Sequence, residues 1–182
     1  MATILKVTQH SINAKYAAIE ELEAKKAHTL EDMNDAKSQG DLRENFGYQA
    51  AKKQLQMLDF QIAETAALLD AGQFEIVDPV AWTKEEPKTI VLGTYVVYEH
   101  SENKKLPDRE RYLIGGGLDN HDSIIRYNSP AAQALIGHKA GDNFAATING
   151  HKRDFYVLEV RTPKQEEIEQ FYPPAPTVSR SR

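Results

Sequence analysis

From Tyr48 to Leu69 the chain alternates apolar and polar positions in a fixed rhythm. Tyr48, Ala51, Leu55, Leu58, Ile62, Thr65 and Leu69 are separated by alternating steps of three and four. That is the a/d seam of a helix packed against another helix. The stretch before it is less regular, but Ile12, Tyr16, Ile19, Leu22, Ala27, Leu30, Met33 and Ala36 fall largely on one helical face. Glu20, Glu21, Lys25 and Glu31 occupy the rest. From residue 10 to 72 there is no proline, and the only glycines are Gly40, Gly47 and Gly72. Gly40 is placed to end the first helix and Gly72 to follow the second as a C-cap. Two helices of similar length joined by a short tip pair antiparallel. At 1.5 Å per residue they form a rod of roughly 40 Å.

At Phe74 the pattern changes. "FEIVDP", "TIVLGTYVVYE", "RERYLIGG" and "SIIRYNSP" are short, rich in β-branched and aromatic residues, and separated by turn formers, as strands are. "SPAAQALIG" predicts one short helix, with Ser129 as N-cap, Pro130 in the first turn and Gly137 at the end. "DNFAATINGHKRDFYVLEVRTP" predicts a hairpin turning at Asn149-Gly150. The expected class is therefore a helical hairpin, residues 1–73, followed by an α+β domain, residues 74–163, built on an antiparallel sheet with one short helix. Residues 164–182 are charged and then proline-rich, and are expected to be disordered.

Composition narrows the function classes. The net charge is −5, so the chain as a whole is not a non-specific phosphate binder, and any nucleic-acid contact is local or held by a protein partner. There is no cysteine, which removes disulfides, thiolate metal sites and cysteine nucleophiles, and which suits a cytoplasmic location. No apolar run has the length of a membrane span, and the opening "MATILKVTQHS" is too short in apolar residues for a secretory signal, so no membrane role is expected.

Candidate chemistry concentrates at the bend. Asp41 and Glu44 sit there three residues apart. If the second helix begins near Leu42, they converge within one turn and suit a hard cation such as magnesium. The same spacing is also a helix-start capping box, with Asp41 accepting backbone N–H bonds and Glu44 reaching back. Lys37 and Lys52 lie almost symmetrically about the bend, and with Arg43 and Lys53 they form either a basic collar or a solvated charged face. Elsewhere the signals are structural. Gly115-Gly116-Gly117 lacks a phosphate loop's lysine and reads as a flexible turn. The histidines show no ligand spacing, and no nucleophile motif is present.

Two segments carry a family resemblance. In "QGDLRENFGYQAAKKQ" the residues Gly40, Asp41, Leu42, Glu44, Asn45, Tyr48, Ala51 and Lys52 meet the pattern G-D-L-x-E-N-x-x-Y-x-x-A-K/R. In "NSPAAQALIGHKAGD", Ser129, Pro130, Ala132, Leu135, Ile136, Gly137, Gly141 and Asp142 meet S-P-x-A-x-x-L-I-G-x-x-x-G-D. Together these resemble the bacterial Gre transcript-cleavage factors of the GreA/GreB type. One departure is Phe46-Gly47, where that family usually has Ala-Glu. The resemblance implies a coiled-coil hairpin followed by an FKBP-like domain. It implies a cytoplasmic monomer whose partners are bacterial RNA polymerase and the nascent RNA 3′ end. Asp41 and Glu44 would be the catalytic acids and would share Mg2+ with the polymerase active site. Lys37, Arg43, Asn45, Tyr48, Lys52 and Lys53 would contact RNA or polymerase near the tip. The factor would stimulate cleavage of backtracked RNA without being an enzyme itself. The alternatives are a channel-occupying regulator that does not promote cleavage, and a coiled-coil adaptor unrelated to polymerase.

Overall fold

The structure, a computed structural model, describes residues 4–38, 45–84, 86–102 and 107–173. The chain divides into two compact units, one of Ile12–Gln73 and one of Met1–Ser11 with Phe74–Arg182.

The first unit is the helical hairpin. Helix α1 spans Gln9–Ser38 and α2 spans Phe46–Ala71. On α2 the expected seam is the inward one: Ala51, Leu55 and Leu58 are buried, and Tyr48, Ile62, Thr65 and Leu69 are half-buried. On α1 the seam differs from the expected set. Tyr16, Ala27 and Leu30 are exposed, while Ile12, Lys15, Ile19, Leu22, Lys26, Thr29, Met33 and Ala36 form the shielded row. These also step by three and four, but polar residues occupy three of them. Lys26 lays its aliphatic stem along the seam and pairs with Asp59 of α2 at 2.5 Å. Thr29 donates its hydroxyl to the Lys25 carbonyl at 2.9 Å, which satisfies it inside the seam. Gly72 follows α2 in an extended conformation, φ −70° and ψ 123°, rather than the left-handed one of a glycine C-cap.

The second unit holds two sheets. Strand β1 (Leu5–Thr8) pairs in parallel with β2 (Phe74–Val77), so the N-terminal residues expected in the hairpin domain belong here instead. Five strands make the main sheet: β3 (Tyr95–Glu102), β4 (Asp108–Gly115), β5 (Ile124–Arg126), β6 (Asn143–Ile148) and β7 (His151–Arg161), in the order β5-β4-β3-β7-β6. All pairs are antiparallel except β4 with the short β5. The β6–β7 turn is the expected one, with Asn149 at φ 53° and Gly150 at φ 82°, as a hairpin turn of the primed type requires.

One core lies where helix α3 (Pro130–Leu135) packs Ala132 and Leu135 against Ile90, Val96, Ile114, Phe155 and Val157. Ser129 caps α3 as expected, accepting from the Ala132 N–H at 3.2 Å. A second cluster joins Leu113 to Ile168 and Phe171, with Trp82 and Tyr172 against it. Ile168 and Phe171 come from helix α4 (Gln165–Phe171), which lies inside the segment expected to be disordered. Two apolar residues three apart suffice to dock this short helix, and Arg161 clamps it by donating to both Glu167 carboxylate oxygens at 2.8 and 2.6 Å. Residues 174–182 of the expected tail lie outside the described residues.

The Asp119 carboxylate, 5% exposed, joins three distant segments. It accepts from the Thr8 hydroxyl at the end of β1 (2.7 Å), from the Gly116 N–H after β4 (2.7 Å) and from the Tyr172 hydroxyl after α4 (2.5 Å). Burial and then the adjacent carboxylate push the Tyr172 phenol well above its usual range, so it stays a donor. The glycines expected to form a flexible turn are the packed floor of this arrangement. A Cβ on Gly116 would lie 3.2 Å from the backbone of Val7 and Thr8, and one on Gly117 would lie 2.5 Å from the Leu5 side chain.

Replacing Asp119 with alanine strands three buried donors and is expected to destabilise this unit by about 3–5 kcal/mol. Tyr172→Phe removes one charge-assisted bond and should cost about 1–2 kcal/mol. Urea unfolding followed by fluorescence of Trp82, the sole tryptophan, reads both. A second expectation concerns acid. The hydrogen bond from Arg161 holds the Glu167 carboxyl below its usual value, so its stabilisation is complete above the unfolded pKa and is lost as pH falls through the lower folded one. Proteolysis after residue 161 should therefore quicken as pH falls below the usual glutamate range, and Glu167→Gln should remove that pH dependence.

Candidate functional site

The candidate site is the connection between α1 and α2. Asp41, Arg43 and Glu44, with Gly40, lie outside the described residues. What the structure defines is the frame on either side. On the α1 side, Lys37 is in the last helical turn and exposed, where a cation complements the helix dipole. Ser38 closes the helix by donating its hydroxyl to the Asp35 carbonyl at 2.7 Å.

On the α2 side, Asn45 is the N-cap, with extended backbone at φ −81° and ψ 95°. Its Oδ1 accepts from the Tyr48 N–H at 3.0 Å, and its Nδ2 donates to the Ala36 carbonyl at 2.6 Å. One amide thus caps the second helix and ties it to the last turns of the first. An amide can do this because it carries an acceptor and a donor on one rigid plane, which a carboxylate does not.

This corrects two expectations. The helix starts at Phe46 rather than near Leu42, and its first turn contains no acidic residue. The capping role open to Asp41 is filled by Asn45, so neither acid is needed to start α2. Asn45, expected among the contacts near the tip, has both polar ends committed within the hairpin. Tyr48 is half-buried on the seam and packs between the helices, while Lys52 and Lys53 are exposed. Phe46 is 89% exposed at the first position of α2, directly after the cap.

Among the described residues no group of three histidine or carboxylate side chains could hold a metal ion. The histidines form pairs instead. His138 lies 3.3 Å from Asp142 and stacks on Phe144, and His151 lies 2.9 Å from Glu102. The Asp41 and Glu44 pair, expected to suit a hard cation, lies outside the described residues. The Asn45 clamp was not anticipated. Its signal was an Asn placed three residues before a seam residue, masked by an equally good Asp-x-x-Glu pattern beside it.

Asn45→Ala loses the cap and the inter-helix bond together and is expected to cost about 1–2 kcal/mol of hairpin stability. Amide exchange in the first turn of α2 should rise with it. Asn45→Asp keeps the cap and loses only the donor, so its exchange rates should fall between those of the other two.

Comparison with known proteins agrees with this architecture. Residues 5–72 match the family described as "Transcription elongation factor, N-terminal", and residues 85–162 match "Transcription elongation factor, GreA/GreB, C-term". The transcription elongation factor GreA of a Nitratiruptor species is 31% identical over 155 residues, covering 85% of this chain and 91% of that one. GreA of Halorhodospira halophila is 34% identical over 134 residues, covering 72% and 80%. Among solved structures, the GreA factor homolog 1 of Thermus thermophilus is similar at 19% identity, covering 87% of this chain and 99% of that one, with a TM-score of 0.37. A matched family for each unit, and relatives aligned along most of both chains, place this chain in the GreA/GreB family of transcription elongation factors.

Proposed function

We propose that this chain is a transcription elongation factor that binds RNA polymerase, enters its secondary channel hairpin-first, and stimulates the polymerase's own cleavage of backtracked RNA. The observation that carries the reading is the position of the acids. In the sequence Asp41 and Glu44 fall between two helices of 30 and 26 residues, which on this reading would carry the pair to the end of a rod about 40 Å long. Asn45 fixes the base of that connection, capping α2 and tying it to the Ala36 carbonyl of α1.

The chemistry is phosphodiester hydrolysis. Magnesium at such a centre neutralises developing charge and lowers the pKa of bound water. Two carboxylates without a cage bind magnesium weakly alone, so the pair acts where polymerase and RNA phosphate complete the shell. Asp41 serves as the metal ligand, and Glu44 as a second ligand or as the group that orients water. Lys37 and Lys52, with Arg43 and Lys53, supply positive charge toward the RNA 3′ segment or the polymerase loops around it. The sheet domain, FKBP-like by resemblance, docks on the polymerase rim, and the protein works in the cytoplasm. It owns no active site of its own.

A second reading has one observation in its favour. Phe46 places a bulky, solvent-exposed ring beside the acids. In that reading the hairpin occupies the channel and modulates polymerase without cleavage.

The test is RNA release from a stalled, backtracked complex with magnesium present. Wild type should accelerate release of short 3′ fragments, and Asp41→Asn/Glu44→Gln should lower that acceleration by about a hundredfold or more while still binding polymerase. Wild type that binds but gives no acceleration would sink the cleavage reading and leave the regulator. Failure to bind polymerase at all would sink both.

A further inference from the structure

Helix α2 carries a second apolar stripe, on the side opposite its seam. Starting from Phe46, the positions Ala50, Lys53, Met57, Phe60, Glu64 and Ala67 follow in alternating steps of four and three. This is a second heptad rhythm, back to back with the one that faces α1. Every one of these residues is exposed. Phe60 is 67% and Met57 59% exposed, large apolar side chains in the middle of a solvent-facing helix. A hairpin that only needed α1 as partner would carry polar residues here. Lys53 and Glu64 form no ion pair among the described residues.

We infer that this stripe is a self-association surface, and that its occupant is α2 of a second copy, packed antiparallel about a two-fold axis. The argument is complementarity under that symmetry. In an isologous pair, if one residue faces another, the reverse contact is made as well. Set the axis between Met57 and Phe60, and Met57 faces the partner's Phe60. One step outward, Lys53 then faces the partner's Glu64. One step further, Ala50 faces the partner's Ala67, where two small side chains let the backbones approach. The register matches large with large, small with small and cation with anion, all at once. A one-heptad slip moves Lys53 away from the partner's Glu64 and leaves Met57 and Phe60 without each other. A parallel pairing sets Lys53 on the partner's Lys53 and Glu64 on the partner's Glu64. The charged positions therefore select one orientation and one register, as they do in coiled coils. The contact is short, so the dimer is concentration-dependent, and the dilute chain is the monomer expected from the sequence. This surface does not rest on the polymerase reading.

Sedimentation equilibrium of the full chain over a wide concentration range tests it, with circular dichroism confirming that each variant is folded. Wild type should pass from monomer to dimer as concentration rises. Lys53→Glu and Glu64→Lys each place like charges opposite one another twice per dimer, and each should weaken the dimer by about tenfold or more. The charge-swapped double variant should regain wild-type association, because the pair is restored in reverse. A wild type that stays monomeric at hundreds of micromolar overturns the inference. So does a dimer that ignores both single reversals, since it would form through another face. A double variant that behaves as the sum of the two singles overturns the register.

Discussion

A buried carboxylate that joins no ion pair among the described residues is the element that ties the second unit together. Asp119 is surrounded by donors from residues that are far apart in sequence: Thr8, Gly116 and Tyr172. Burying a charge is costly unless hydrogen bonds replace its water. Three such bonds do so here, and each donor belongs to a different segment. The arrangement is therefore a closure device. Strand β1 buries Val7, and α4 docks through Ile168 and Phe171; the shared anion adds a polar tie that joins their ends to the turn after β4. The glycines behind it follow from the same demand, since a side chain at Gly116 would push the β1 backbone away from the carboxylate.

The hairpin is held by a different physics. Its seam is linear and repeats every turn or two, so no single contact closes it. The exception is Asn45, which works where the repeat has run out. Helix ends leave backbone groups unpaired, and a hairpin has a second problem at the same place, because its helices must stay together without seam contacts beyond them. A single amide solves both. That solution also separates two jobs that the tip sequence could have merged. The N-cap of α2 is made by Asn45 itself, so the helix start does not call on the Asp-x-x-Glu pattern that precedes it in the sequence.

What was legible in the sequence depended on whether the signal was apolar and local. The α2 seam was legible because every inward position from Tyr48 to Leu69 is apolar or threonine. The α1 seam was displaced because Lys26 and Thr29 hold inward positions by an ion pair and a back-bond, and neither appears in a hydrophobic pattern. Helix α4 was missed since its segment, QEEIEQF, has the composition of a solvated tail, and only the cluster around Leu113 shows that two apolar residues are enough. The role of Gly116 and Gly117 was illegible because it lies in what approaches them from β1, a strand more than a hundred residues away, and Gly115 is crowded instead by Ile124, Asp119 and Tyr172. The β6–β7 turn was fully legible, since Asn-Gly states its own backbone conformation. At the tip, residue type and spacing could not say which of Asp41 and Asn45 begins the helix, because both types cap well and only the structure shows Asn45 doing so.

The two faces of α2 make one further point. A helix that faces α1 on one side and a second copy on the other has no side left for a snug channel wall. In the proposed antiparallel pair the partner covers the outer stripe along most of its length, and a row of four helices is wider than a two-helix rod by two helix diameters, roughly 20 Å. On these two proposals, the dimer and a hairpin inserted in a narrow channel would be exclusive states of the same surface. Exclusive states compete by mass action, so polymerase binding would draw the chain out of the proposed dimer, and a rise in free chain would return it there. Phe46 then has a physical reason to be exposed that owes nothing to the acids beside it. It begins the outer stripe, and its place at the first turn of α2 follows from the heptad count as directly as Met57 and Phe60 do.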